Sequence, residues 1–303
     1  MLKRRGFTLV ELLVTIVLLG AVGLITARVL TSMLRVTTAQ MQLTGAQSTA
    51  RTGALAIPQE FREIGYDTIP QGAGGTTSSD LEAIAAHRIT FHAMRGLGTT
   101  CGTPTQTEFR IRKPILGMRQ PVATDQFVLF VENGVNQGND DQWVPILVSS
   151  IDLNSTCGAD PAIRLTLSAA PVPDPVVGAS LSLANYFVGG PIRWYERMEY
   201  GPVLDANGRA YVGARSLSLG QNTLLPMIGP LPDTLAFALT YYDADGNVLD
   251  PATAPKIDVR SIGIALTGST TAPIALSGSS TRSRGQLPVF TRVALRNILR
   301  PDP

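Results

Sequence analysis

The chain begins with a long apolar run that basic residues flank on both sides. Three cations precede the run, Lys3, Arg4 and Arg5, and Arg28 follows it. The run covers residues 7–27, and at a rise of ~1.5 Å per residue it makes a helix of about 31 Å. This length matches the hydrocarbon core of a bilayer. The pattern therefore predicts a membrane-spanning helix at the amino terminus.

Beyond Arg28 the helical pattern continues, but it becomes amphipathic. Apolar residues recur at spacings of three and four: Leu43, Ala46, Ala50, Ala54, Ile57, Phe61 and Ile64. Such spacing places them on one face of a helix, and that face needs a sheet to cover it. Pro58 lacks an N–H and clashes with the preceding turn, so we expect the helix to kink or end near Ile57. Gly65 is the next stop signal.

The remainder of the chain consists of short apolar runs separated by turn-forming residues. The runs cover residues 88–94, 126–131, 163–167, 180–188, 192–200, 235–242, 257–267 and 289–295. Several alternate with a period of two, which is typical of antiparallel strands with one solvated face. A short helix is expected over residues 81–86, with Ser79 or Asp80 as its cap. The predicted fold class is α+β, with a long amino-terminal helix packed on an antiparallel, β-rich globular body.

Glu11 is the acidic residue inside the apolar run. A carboxylate in a membrane helix costs several kcal/mol unless it is paired or near an interface, so it marks a candidate functional site. A plain membrane anchor leaves Glu11 unexplained. A secretory signal peptide requires a small-residue cleavage site after the run, whereas Arg28 follows here and the helical pattern continues.

The block GFTLVE at residues 6–11, followed by two leucines, resembles the amino terminus of the type IV pilin family, which includes the pseudopilins of type II secretion. The resemblance implies that a membrane peptidase cuts after Gly6 and that the new amino terminus, Phe7, is N-methylated. It also implies that Glu11 pairs with the terminal amine of a neighbouring subunit as a filament assembles. An ammonium and a carboxylate attract strongly at low dielectric, so such a pair favours one axial register between subunits.

This resemblance implies three domains and a set of partners. Residues 1–6 are a cleaved basic leader, residues 7–65 form the helix with 7–27 as its transmembrane or filament-core part, and residues 66–303 form an extracytoplasmic body. The implied partners are other pilins, the prepilin peptidase and the inner-membrane assembly platform. The subunit is expected in the inner membrane with its body in the periplasm, and in a cell-surface pilus after assembly.

Two body segments resemble particular members of the family. LAFALTYYDADGNVL and VFTRVALRN look like segments of the minor pilins called PilW and of the GspJ type of pseudopilin. This implies a low-abundance subunit that primes or caps a type IV pilus. A minor pseudopilin of type II secretion is the alternative, and a major pilin is the third option.

Composition and charge agree with a body rich in turns. Only 16% of the 303 residues are charged, while 29 are glycine and 21 are proline. The formal net charge of +2 comes from 25 basic and 23 acidic side chains. Removal of the three leader cations leaves 22 against 23, so global charge gives no reason to expect a nucleic-acid partner.

A local run of cations leaves one nucleic-acid alternative open. Five arginines near the carboxyl terminus have no acidic residue among them: Arg282, Arg284, Arg292, Arg296 and Arg300. A basic stripe on a strand can hold phosphates, which makes this set a candidate DNA-binding surface of a tip subunit. The same pattern is also that of a solvated edge that discourages strand pairing.

The two cysteines, Cys101 and Cys157, each lie in a loop context. Export past the membrane favours a disulfide over a metal site, which would need further ligands. Closing a loop of roughly 57 residues would destabilise the unfolded chain by ~4 kcal/mol on the chain-entropy model. Two free thiols are the alternative.

Motifs for metals and catalysis are weak. Residues 243–247, DADGN, alternate carboxylates like a calcium loop, but Val248 stands where an EF-hand has glycine and Ala254 stands where it has its closing acid. A hairpin turn explains this segment better, as it does DANG at residues 205–208. The histidines, His87 and His92, do not form a recognisable catalytic motif with other residues. We therefore expect no enzyme activity, no cofactor and no metal.

Overall fold

The computed structural model describes residues 8–64, 80–102, 105, 107–131, 142–168, 189–275 and 281–295. These residues contain one α-helix, α1 (Leu9–Phe61), followed by seventeen strands. The strands are β1 (Leu81–Ile84), β2 (Ile89–Thr99), β3 (Glu108–Arg112), β4 (Leu116–Gly117), β5 (Gln126–Val131), β6 (Gln142–Ile146), β7 (Val148–Cys157), β8 (Asp160–Leu167), β9 (Pro191–Leu204), β10 (Ala210–Ser216), β11 (Leu225–Leu231), β12 (Phe237–Tyr242), β13 (Val248–Leu249), β14 (Ser261–Ser269), β15 (Ile274–Ala275), β16 (Arg282–Ser283) and β17 (Gln286–Ala294). A single 3-10 turn, Lys256–Asp258, precedes β14. The α+β prediction, a long helix before an antiparallel, sheet-rich body, is confirmed.

The largest sheet is built around β9, its longest strand. Along one side β9 pairs with β2. Along the other side its amino-terminal half pairs with β5 and its carboxyl-terminal half with β10. Strands β1 and β4 pair with β2, β6 extends the sheet from β5, and β11 extends it from β10. The order is β13-β12-β14-β17 in a second sheet and β3-β8-β7 in a third.

The two larger hydrophobic cores of the described residues lie on these sheets. The first lies beneath the carboxyl-terminal part of α1, where Phe61 makes edge-to-face contacts with Phe91 and Tyr200 at centroid distances of 5.3 and 5.8 Å. The second lies between the three-stranded sheet and strands β5, β6 and β9, with Trp194 fully buried in it. Strand β9 contributes to both cores and so connects them.

Small residues let α1 approach the second sheet closely. A Cβ atom on Gly268 of β14 would lie 2.6 Å from the carbonyl oxygen of Ala46 and 3.2 Å from Cβ of Ala50. On the helix side, a Cβ atom on Gly53 would clash with the side chains of Leu266 and Ile228. The helix backbone therefore lies close to the strand, because Gly268 on the strand faces the helix backbone and Gly53 on the helix leaves room for the side chains of Leu266 and Ile228.

The buried face of α1 agrees with the sequence pattern. Ala46, Ala50, Ile57 and Phe61 are buried, and Gly53 joins them. The sequence predicts that the helix kinks or ends near Ile57; it continues through Pro58 to Phe61, so it does not end at Ile57, and the kink stays a prediction. Proline at position 58 lies in the last turn, where it removes only one helical hydrogen bond. Burial of its neighbours in the first core offsets that loss.

The expected helix over residues 81–86 is also wrong, because residues 81–84 form strand β1. Leu81 pairs with Phe91 and Ile84 pairs with Ile89 of β2. So short a segment cannot sustain a helix alone. Pairing with β2 and burial of Leu81, which is 2% exposed, decide its conformation instead.

Most of the predicted strands are present. Residues 88–94, 126–131, 163–167, 192–200, 235–242, 257–267 and 289–295 overlap β2, β5, β8, β9, β12, β14 and β17. The run at residues 180–188 lies outside the described residues. Strand β2 continues beyond its apolar run because Gly96 leaves room for the ring of Trp194, which a Cβ atom there would overlap.

Candidate functional site

The amino-terminal part of α1 stands clear of the body. Residues 9–38 are all exposed, which corresponds to about 45 Å of helix. The exposed side chains are largely apolar: Leu9, Val10, Leu12, Leu13, Val14, Ile16, Val17, Leu18, Leu19, Val22, Leu24, Ile25, Val29, Leu30, Met33, Leu34 and Val36. An 18-residue window of α1 reaches a mean hydropathy of 2.5 with none of it buried, so the helix is long and apolar enough to cross a membrane. The first hydrogen bonds to the body come at Gln42, whose side-chain oxygen accepts from the N–H of Thr271 at 3.1 Å.

Glu11 closes a capping box at the start of this helix. The N–H and the hydroxyl of Thr8 donate to Oε2 of Glu11 at 3.0 and 2.9 Å, and the N–H of Glu11 donates to Oγ1 of Thr8 at 3.3 Å. These contacts satisfy two of the N–H groups that a helix start leaves free, and the carboxylate lies at the positive end of the helix dipole. Sequence reasoning missed the role of Thr8, although threonine three residues before a glutamate is the signature of this cap.

The carboxylate of Glu11 is therefore directed toward the amino-terminal end of the helix. This is the end at which Phe7 would become the first residue after cleavage behind Gly6. Gly6, Phe7 and the leader cations Lys3, Arg4 and Arg5 themselves lie outside the described residues.

A buried cluster of charges joins the carboxyl-terminal end of α1 to the body. Its cations are Arg95 and Arg119, and its anions are Glu60, Asp125 and Glu196. Nε of Arg95 donates to Oε2 of Glu196 at 2.6 Å, and Nη2 of Arg95 donates to Oε1 of Glu60 on the helix. Nη2 of Arg119 contacts Oδ1 of Asp125 at 2.6 Å and Oε1 of Glu196 at 3.4 Å.

A β-bulge directs Arg95 into this cluster. The register between β2 and β9 shifts between Met94 and Gly96, so Arg95 has no partner residue on β9. A bulge of this kind turns a side chain away from the regular alternation of a strand. The side chain of Arg95 is only 7% exposed. Backbone contacts support the junction, since the N–H of Met94 donates to the carbonyl of Glu63 at 3.1 Å.

The cluster favours the ionised form of Glu196. Burial disfavours the ionised form of Glu196, but hydrogen bonds from Ser216 and Arg95 and the positive charges of Arg95 and Arg119 outweigh that effect. The pKa of Glu196 consequently lies below its usual range. An unpaired charge in this position would be costly, so the arrangement fixes the end of α1 relative to β2 and β9.

The three described arginines of the candidate DNA-binding set do not form one patch. Arg282 lies in β16 and Arg284 just before β17, both exposed, while Arg292 lies near the far end of β17. Eight residues separate Arg284 from Arg292, which is about 27 Å along a strand. The guanidinium of Arg292 lies 3.8 Å from the centre of the Tyr242 ring. Arg296 and Arg300 lie outside the described residues.

The structure joins Cys101 and Cys157 in a disulfide, with a Cα–Cα distance of 6.1 Å. Cys101 follows β2, a strand of the largest sheet, and Cys157 ends β7, an outer strand of the three-stranded sheet. The bond therefore ties two sheets together beside the second core.

The two carboxylate-rich loops form hairpin turns. Residues 205–208 connect β9 to β10, and residues 243–247 connect β12 to β13, with positive φ at Gly208 and Gly246. Asp243 accepts hydrogen bonds from the side chain of Asn247 at 3.0 Å and from its N–H at 2.8 Å, and these bonds lower the pKa of Asp243. The carboxylate oxygens of Asp243 are thus engaged in hydrogen bonds within the turn. Across the part of the chain that the structure describes, no group of three or more His, Cys, Asp or Glu side chains is placed to hold a metal ion.

Comparison with known proteins adds one match. Residues 1–27 match the family model of the prokaryotic N-terminal methylation motif. No curated protein and no solved structure was found to be similar to the chain. The motif implies processing by a prepilin peptidase and assembly with other pilins, in a family whose members are generally structural rather than catalytic. Together with the exposed apolar helix, it supports a type IV pilin-like protein, a pilin or a pseudopilin, anchored in the inner membrane.

Proposed function

We propose that this chain is a minor subunit of a type IV pilus, which primes or caps filament assembly. The observation that carries the proposal is the exposed half of α1 together with the methylation motif, whose match over residues 1–27 includes the first part of that helix. A helix that exposes so many apolar side chains is unfavourable in water. They need a bilayer before assembly and the helices of other subunits after it, and a pilus provides both.

The proposed route follows from the two ends of α1. The leader of residues 1–6 is removed after Gly6, and Phe7 becomes a methylated amino terminus. Residues 7–27 then span the inner membrane while the body of residues 66–303 lies in the periplasm. Because α1 extends about 45 Å from the body and a hydrocarbon core is about 30 Å thick, the body stands off the membrane by ~15 Å.

The minor role rests on the resemblance of two body segments to PilW-type pilins. A minor pseudopilin of type II secretion shares the methylation motif and is the second candidate. A DNA-binding tip subunit has less support, because Arg282 and Arg284 precede β17 and Arg292 lies near its far end, so the described arginines do not form one basic surface.

Processing and filament location test the proposal directly. Mass spectrometry of membrane and sheared-filament fractions should find a mature chain that begins at methylated Phe7. A Gly6→Val variant should keep its leader and stay out of filaments. The mature subunit should be present at a small fraction of the major pilin, and its deletion should reduce filament number. A mature chain that begins beyond residue 27, or a subunit as abundant as the major pilin, would contradict the proposal. Loss of type II secretion with normal pili would favour the second candidate.

A further inference from the structure

Strand β17 forms the most regular open edge among the sheets in the described residues. It pairs with β14 over nine consecutive residues without any shift in register, and it is the outer strand of its sheet. The other described outer strands are short or interrupted. β1 and β7 contain register shifts, β11 contains two shifts and two prolines, and β6 has five residues including a proline. β3 has five residues, and β4, β13, β15 and β16 have two each. Interruptions of this kind prevent other chains from pairing with an edge, and β17 has few of them.

The register shows which backbone groups point out of the sheet. The N–H of Thr267 donates to the carbonyl of Ala236 at 2.9 Å, so the polar groups of Thr267 face β12. Its partner on β17 is Pro288. Because hydrogen-bonded and non-bonded pairs alternate in an antiparallel ladder, Pro288 directs its nitrogen and carbonyl outward. The same alternation directs the backbone groups of Gln286, Phe290, Arg292 and Ala294 outward.

The backbone N–H and carbonyl groups that point out of the sheet along β17, which we call the outward row, are unpaired in the described part of the chain. None of these outward N–H and carbonyl groups has a hydrogen-bond partner there. Pro288 costs the sheet nothing, since its missing N–H would have pointed outward. The proline removes one donor and leaves the others in place.

The side chain of Arg292 also leaves the edge open. Its guanidinium lies over the ring of Tyr242 on β12, and its Nε donates to Oγ of Ser261 at 2.8 Å. Both partners belong to strands on the paired side of β17, so the side chain of Arg292 extends across the sheet and away from the unpaired edge. Gly263, opposite Arg292 in β14, has no side chain to obstruct it.

The chemistry around the edge indicates what it would bind. Residues 281–295 contain three arginines and no acidic residue. Arg282 and Arg284 are exposed at the amino-terminal end of the strand, and Phe290 is 61% exposed near its middle. An occupant that carries carboxylates near Arg282 and Arg284 and an apolar side chain near Phe290 would complement this surface. DNA fits it less well, because phosphates only accept hydrogen bonds and would face the outward carbonyls.

We propose that the edge of β17 binds an extended, acidic segment of a neighbouring filament subunit, which adds a strand to the second sheet. Main-chain hydrogen bonds would supply affinity and the arginines and Phe290 would supply specificity, as in other cases of strand addition. This inference rests on the proposed function, because a filament is what holds another subunit beside this edge.

The first experiment uses proline as a probe of the outward row. Phe290→Pro removes an outward N–H, as Pro288 already does, and Phe290→Thr is the matched control that loses the ring but keeps the N–H. The amount of Phe290→Pro in sheared filaments should fall by about fivefold or more relative to Phe290→Thr, at equal membrane levels and equal unfolding midpoints. Equal amounts of the two variants in filaments would overturn the inference. If Phe290→Pro unfolds at a lower midpoint, Ala294→Pro against Ala294→Thr makes the same comparison at the strand's end.

The second experiment identifies the occupant. A photo-crosslinking phenylalanine analogue at position 290, illuminated in intact filaments, should capture an acidic segment of another subunit, and Arg282→Ser with Arg284→Ser should reduce the capture. Capture of DNA, or no capture although the subunit is present in filaments, would overturn this inference but not the proposed function. Absence of the wild-type subunit from filaments would overturn the proposed function, and this inference with it.

Discussion

The carboxylate of Glu11 has different partners available at different stages. In the single chain, Thr8 supplies both hydrogen bonds that hold it at the helix start. In a filament, the family resemblance offers the amine of a neighbour's Phe7. The two arrangements use the same end of the helix. A substitution can therefore remove the negative charge of Glu11 and still keep its helix cap.

We predict that Glu11→Gln enters filaments poorly although its helix cap is intact, because glutamine also completes a capping box but cannot pair with an ammonium. The ratio of filament protein to processed membrane protein should fall by about tenfold or more, since a charge pair at low dielectric contributes more than ~1.4 kcal/mol. Glu11→Val should behave alike and Glu11→Asp should be intermediate. Normal incorporation of Glu11→Gln would refute amine pairing for this subunit and favour a terminal position in which its own Glu11 stays unpaired.

Arg95 is a buried cation of the body that pairs with two carboxylates, those of Glu60 and Glu196. Replacing it with methionine would leave Glu60 and Glu196 without their shared cation, and breaking a buried pair in this way costs roughly 3–5 kcal/mol. We predict this loss in the free energy of unfolding for Arg95→Met, measured on detergent-solubilised protein through tryptophan fluorescence, to which buried Trp194 contributes. Arg88→Met is the control, because Arg88 pairs with Glu199 but is 54% exposed, and its loss should cost under ~1 kcal/mol. Equal losses in the two variants would show that the cluster does not hold the helix.

Glu196 also makes stability depend on pH. Its pKa is depressed in the folded state, so its contribution is complete above the ordinary glutamate pKa of about 4.3 and is lost as pH falls through the lower folded value. We predict that the difference in unfolding free energy between the wild type and Glu196→Gln is constant above about pH 5 and shrinks in more acidic buffer. Unfolding curves across this range provide the measurement. A difference that does not change with pH would mean that Glu196 titrates alike in both states.

Sequence reasoning had no means of finding this cluster. Its five charged residues are spread over positions 60 to 196, and no local pattern sets them apart from ordinary surface charges. Only the pairing of β2 with β9 and the bulge at Arg95 bring them together. Glu11, by contrast, was evident from sequence because a carboxylate stands out in an apolar run.

At the scale of secondary-structure elements, the period of the apolar residues and their burial explain which strands could be predicted from the sequence. Odd-numbered residues from Val289 to Leu295 face inward and the even-numbered ones face solvent, as the alternation predicts. The segment at residues 81–84 has residues that favour a helix, and only pairing with a distant strand makes it extended. Its conformation was therefore inaccessible to local reasoning.

The crossing of α1 over β14 provides a test at this scale. A methyl group on Gly268 would lie 2.6 Å from a helix carbonyl, so either the helix or the strand must shift. We predict that Gly268→Ala lowers the free energy of unfolding by about 1–3 kcal/mol, as overpacking does. Gly45→Ala is the control on α1, the helix that Gly268 faces, because nothing lies within 4 Å of the Cβ position of Gly45. There the better helix propensity of alanine should stabilise the protein by about 0.5–1 kcal/mol. A neutral Gly268→Ala would mean that the helix packs more loosely than the structure indicates.

At the scale of the whole molecule, β9 determines how the body is organised. It contacts β2, β5 and β10, and it buries Trp194 in the second core and Tyr200 in the first. Apolar runs indicated that these strands exist, but nothing local specifies that one long strand serves three neighbours. The order of strands thus follows from long-range pairing, which a single sequence does not display.

The disulfide lies beside the second core, whereas α1 packs on the first. We expect the disulfide to stabilise the second core without affecting filament assembly directly. Cys101 and Cys157 are 56 residues apart in sequence, and on the chain-entropy model a loop of this size contributes ~4 kcal/mol. We predict that Cys101→Ser with Cys157→Ser lowers the free energy of unfolding by an amount of this order, while α1 still inserts in the membrane because its apolar residues need no contact with the body. Reductant should destabilise the wild type to a similar degree and leave the double variant unchanged, which separates loss of the bond from any effect of the new serines. Non-reducing peptide mapping should recover both cysteines in one cross-linked fragment. Quantitative labelling of two free thiols in native protein, or a wild type insensitive to reductant, would show that the bond does not contribute to stability in this way.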